Sequence, residues 1–164
     1  MMKLCGAIVI LIGGAILGAL PLLGMSERIR ILEMLIEAFN RMKAELHTYG
    51  MSIPELMEQM REHQLFGAIR PRLEQEGAMA FSQIWHDCME RYHERLTAQE
   101  YRMVSELGDT LGRYALEEQL ASLEAAIVFL SAGKNETKDR LRAVSKLYMG
   151  TSMSLAAMLV VLLL

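Results

Sequence analysis

Apolar residues gather at both ends of this chain and recur at helical intervals between them. Leu4 to Met25 is a run of 22 residues without a charge, and Leu147 to Leu164 is a run of 18. As helices they rise about 33 Å and about 27 Å, against a hydrocarbon core of about 30 Å. The pattern predicts a transmembrane helix over 1–25, a soluble helical bundle over 26–146 and a second transmembrane helix over 147–164. Gly14 with Gly18, and Gly150 with Ser154, have the small-xxx-small spacing that lets helix backbones approach in lipid.

Between the runs no stretch alternates with the period of a strand, and the helical period repeats instead. Ile29, Leu32, Leu35, Ile36, Phe39, Met42 and Leu46 form one stripe, which Tyr49-Gly50 ends. Ser52-Ile53-Pro54-Glu55 reads as a capping box that opens a short helix to about Glu62. A helix over roughly Phe66 to Glu76 should stop at Gly77, with Pro71 awkwardly inside it. The next, about Met79 to Leu96, turns Phe81, Ile84, Trp85, Cys88, Met89 and Tyr92 inward. Thr97-Ala98-Gln99-Glu100 is a second capping box, and its helix ends between Gly108 and Gly112. From near Tyr114 a last helix carries Leu116, Leu120, Leu123, Ile127 and Leu130 at spacings of 4, 3, 4 and 3, a coiled-coil-like seam. Its phase runs on through Lys134, Thr137, Leu141, Val144 and Tyr148, which predicts one long helix into the membrane with Gly133 as the candidate point for a bend. The fold class is therefore all-α, an antiparallel bundle of about six helices flanked by the two spans.

Charge orients the molecule. All 20 acidic residues and every basic residue except Lys3 lie between Ser26 and Lys146. Arg28, Arg30, Lys138, Arg140, Arg142 and Lys146 flank the spans on the bundle side. Arginine and lysine accumulate on the cytoplasmic side, so the bundle is expected in the cytoplasm of an integral, two-span protein of the cell membrane. The alternative is a cleaved first segment and an exported, tail-anchored protein. A formal net charge of −3 offers no basic stripe for nucleic acid. Cys5 lies in an apolar run and Cys88 in the charged middle, so they do not read as a disulfide pair.

Motifs for chemistry are sparse. His86, Glu90 and His93 fall at i, i+4 and i+7 on one helix face, which allows a metal-dependent membrane enzyme as a rival reading. They lack the histidine spacing of a zinc protease helix, and no nucleophile motif or phosphate loop accompanies them. The preferred reading has no enzyme activity, no cofactor, no metal and no small-molecule substrate. Gly108-Asp109-Thr110-Leu111-Gly112-Arg113 is the most distinctive loop. Arg113, Glu117 and Gln119, at the start of the last helix, are the candidate partner surface.

Several short runs together resemble the stage III sporulation protein AB family across essentially the whole chain. They are Lys3-Leu4-x-Gly6-Ala7, Leu32-x2-Leu35-x3-Phe39, Glu45-Leu46 before Tyr49-Gly50, and Ile53-Pro54-Glu55. Gly108-x2-Leu111-Gly112, Gln119-x3-Leu123 and Lys146-Leu147-Tyr148 before the terminal apolar run complete the set. The family usually places Ser-Asp after the Leu-Gly turn as a helix cap, whereas here Tyr114-Ala115 stands there, so that cap is lost or supplied otherwise. The resemblance implies a protein of endospore formation in a mother cell–forespore complex. It implies a soluble domain similar to the six-helix cytoplasmic domain of the platform proteins of type II secretion and type IV pilus machines. It implies the ATPase stage III sporulation protein AA as partner.

Overall fold

A computed structural model of the chain describes residues 2–163 apart from 64, 78 and 79, and describes 2–22 and 148–163 by their backbone alone. Six α-helices and no strand occur among the described residues: α1 (Met2–Tyr49), α2 (Ile53–Gln59), α3 (Ile69–Glu76), α4 (Phe81–Glu90), α5 (Ala98–Thr110) and α6 (Leu116–Leu163). A 3₁₀ turn, His93–Arg95, lies between α4 and α5. The chain divides into two compact units, Met1–Ile29 with Asn135–Leu164, and Arg30–Lys134. Among residues described with their side chains, no helix is long and apolar enough to cross a membrane. The two expected spans fall almost wholly outside those residues, as do Gly14, Gly18, Gly150 and Ser154.

The Arg30–Lys134 unit has one apolar core. Leu32, Leu35, Phe39, Met42 and Leu46 of the first stripe are buried, as are Leu123 and Leu130 of the α6 seam. Trp85 sits among Phe39, Phe66 and Phe81 at centroid distances of 6.2, 5.4 and 5.7 Å. Its indole N–H would be costly to bury unpaired, and it donates to the Val104 carbonyl at 2.9 Å. A β-carbon at Gly108 would lie 2.4 Å from the Trp85 ring, so α5 passes the indole closely only because this residue is glycine.

Helix ends depart from the periodicity in instructive ways. α3 begins at Ile69 rather than Phe66, which puts Pro71 in its first turn, where the missing N–H has no intrahelical partner to lose. α4 ends at Glu90, well before Leu96. The 3₁₀ turn that follows brings Leu96 into the core, and that burial outweighs another turn of α-helix. α6 continues through Gly133 as a single helix. A β-carbon there would meet Glu100 Oε1 at 2.3 Å, so this glycine admits the buried carboxylate rather than bending the helix.

Candidate partner-binding groove

A cavity of about 530 Å³ opens where the ends of four helices converge in the Arg30–Lys134 unit. The start of α2 contributes Ser52, Ile53 and Pro54, the start of α4 contributes Phe81 and Ser82, and the end of α5 contributes Gly108 and Leu111. Gly112, Arg113 and Gln119 close it from the turn into α6. Ile53, Phe81, Gly108 and Leu111 are buried and form an apolar floor; Ser52, Ser82, Arg113 and Gln119 supply polar atoms.

Local sequence explains this shape. α5 extends through Thr110, so Gly108 and Asp109 are helical and the turn proper follows Leu111. The Leu111 N–H closes the helix on the Leu107 carbonyl at 2.9 Å. Gly112 then takes φ +78, in the left-handed region that favours glycine, and a β-carbon there would lie 2.6 Å from Ile53 Cγ1. Near the position of the family's Ser-Asp cap, Gln119 braces the turn. Its Oε1 accepts from the Gly112 N–H at 3.1 Å and its Nε2 donates to the Tyr114 carbonyl at 2.7 Å. Gln119 is thus committed to holding the turn.

A polar clamp borders the groove. The Ser82 hydroxyl donates to Asp109 Oδ1, and His86 Nε2 lies 3.4 Å from Asp109 Oδ2. The Ser82 hydrogen bond, aided by His86 and by the positive field of Arg113, holds the Asp109 carboxyl below its usual pKa. These are the residue types of a hydrolase triad in a different order. The aspartate lies between serine and histidine, so the histidine is not placed to take the serine proton. What the arrangement does is tie α4 to α5.

The candidate residues separate. Arg113 and Gln119 reach the groove, whereas Glu117 stands exposed on the first turn of α6, outside the lining. There its charge opposes the positive end of the helix dipole. His86, Glu90 and His93 do not form one face, because α4 stops at Glu90 and His93 falls in the 3₁₀ turn beyond it. His86 faces Asp109, Glu90 accepts the Tyr101 hydroxyl, and His93 meets the Tyr101 ring edge-on at 4.6 Å. No group of three or more metal-ligating side chains occurs among the described residues. Ser82 and His86 show their i, i+4 spacing in the sequence, but Asp109, 27 residues from Ser82, joins them only through the fold.

No curated protein and no solved structure matches the chain. The family model for stage III sporulation protein AB matches residues 3–164, so the chain belongs to that family. Membership implies a role in stage III of sporulation.

Proposed function

We propose that this member of the stage III sporulation protein AB family is a non-enzymatic membrane platform. Two spans hold its helical domain at the cell membrane, on the mother-cell cytoplasmic side. The domain contacts the ATPase stage III sporulation protein AA and links it to the other proteins of a secretion-like channel between mother cell and forespore. One observation carries this reading. α1 and α6, each 48 residues long, run as single helices between the core unit and the apolar ends of the chain, and both ends fall in one compact unit. Both ends of the core unit thus continue as helix toward the apolar ends expected in the membrane. The basic residues from Arg28 to Lys146 beside the expected spans support the cytoplasmic side.

The contact is tested at Arg113. Arg113→Glu is expected to lower recovery of the ATPase with the full-length protein about tenfold or more, the scale of an interfacial charge reversal, and to reduce spore yield. The helical circular dichroism of the variant should match the parent, because Arg113 is exposed and outside the core. Normal ATPase recovery and normal spore yield would remove Arg113 from the contact. Orientation needs an exposed thiol. Cys88 is unsuitable, since it lies in the core and burial pushes its pKa up. A cysteine at exposed Ala125 in a Cys88→Ser background should resist an impermeant reagent in intact cells and react after lysis. Reaction before lysis would overturn the cytoplasmic assignment.

A further inference from the structure

We infer that the groove between α2, α4 and α5 receives a short protein segment in which a large apolar residue stands beside an aspartate or glutamate. The inference deepens the platform reading and rests on it for the idea that this face meets a protein.

Hydrogen-bond commitments define the occupant. The Ser52 hydroxyl donates to Glu55 Oε2 at 2.8 Å and the Ser82 hydroxyl donates to Asp109. Both ends of the Gln119 amide are held by the turn backbone. Arg113 is the only charged residue in the lining, and among the described residues its guanidinium makes no hydrogen bond or ion pair. Asp109, the nearby anion, is already engaged by Ser82 and His86. The groove therefore offers apolar floor and one cation held in no ion pair, which acts on Asp109 only through its field. The two serine oxygens keep acceptor capacity, but Arg113 is the one lining side chain that carries a charge. An apolar side chain fits the floor and a neighbouring carboxylate complements Arg113, since arginine binds a carboxylate through two parallel N–H groups.

Size admits either a small molecule or a side chain; the surroundings favour a protein. About 530 Å³ lies within the roughly 300–1,000 Å³ range of ligand pockets. The apolar surface also continues beyond the groove, where Tyr114 and Leu116 are 57% and 40% exposed directly after Arg113. Such a footprint suits a chain that enters the groove and runs on across the turn.

Site-specific photocrosslinking in sporulating cells tests this on the full-length protein. The photoreactive residue p-benzoylphenylalanine is placed at position 54, on the groove wall, and in a parallel strain at position 125 on the outer face of α6. Mass spectrometry then maps the captured peptide. The expected result is an adduct at position 54 whose partner segment carries an acidic residue next to a large apolar one. Arg113→Gln should reduce that adduct about tenfold, while Arg113→Lys retains part of it. No adduct at 54, an adduct lacking a carboxylate, or an adduct to a second copy of this chain would overturn the groove assignment. Capture of the ATPase at 125 with none at 54 overturns the groove and keeps the platform. An acidic–apolar segment of a protein other than the ATPase keeps the groove and removes the ATPase contact at this face.

Discussion

Two stretches of this chain carry the same four-residue motif and meet different fates. In the first box the Ser52 N–H and hydroxyl donate to Glu55 Oε2 at 2.9 and 2.8 Å, and the carboxylate stays exposed. In the second, the Glu100 N–H donates to Thr97 Oγ1 at 3.2 Å and the Thr97 N–H donates to Glu100 Oε2 at 2.8 Å. Glu100, however, is only 2% exposed, with its other oxygen directed at Gly133 of α6. Both boxes start a helix. Only the second is also a joint between helices, because a neighbour has come down on top of it. A local motif decides which N–H is satisfied; it does not decide what the far side of the carboxylate will touch.

Removing each carboxylate measures that difference. Glu100→Ala leaves the part-buried Thr97 N–H without its charged partner and opens a gap beneath α6. It should cost about 2–3 kcal/mol in chemical denaturation. Gly133→Ala should come next. Helix propensity favours alanine by about 1 kcal/mol, but the added carbon must displace the Glu100 oxygen, so a net loss of about 1 kcal/mol is expected. The sharper form combines the two. With Glu100→Ala already present, Gly133→Ala should become neutral or stabilising, and a double-mutant cycle that shows no coupling would disprove the joint.

Glu55→Gln should have the smallest effect, and it should depend on pH. The backbone N–H of Ser52, then its hydroxyl, hold the Glu55 carboxyl below its usual pKa. A depressed carboxyl contributes stability above its unfolded value of about 4.3 and loses it as pH falls through the lower folded value. Parent and variant should therefore differ slightly in melting temperature at pH 7 and converge in acid, below the lowered folded pKa. A difference that persists in acid would mean the box acts through something other than the ionised carboxylate.

Much of the fold was legible because its determinants are local. The α1 stripe, both boxes and the stop at Gly77 each depend on residues within a turn or two of one another. Where helix ends were misjudged, a distant contact had intervened. Leu96 reaches the core only if α4 stops early, and Pro71 is harmless only because α3 starts late. The groove was half legible. Arg113 and Gln119 stood out because they follow a glycine turn, but no local signal tells that the turn's glycines answer to neighbours within the domain. Gly108 makes room for Trp85 and Gly112 for Ile53. Ser82, His86 and Asp109 gave no combined signal, since the third lies on another helix.

By itself, the sequence determined the all-helical class, the apolar ends, the capping signals and the family. Each of these rests on composition, on hydrogen bonds within about four residues, or on the order of short runs along the chain. Only the tertiary structure decided that Glu100 is buried under Gly133, that Asp109 clamps Ser82 and His86, and that Arg113 is, among the described residues, the one charged side chain lining the groove. Those facts depend on which helix packs over which, and that is set by burial of side chains far apart in the chain, where no local spacing records the outcome.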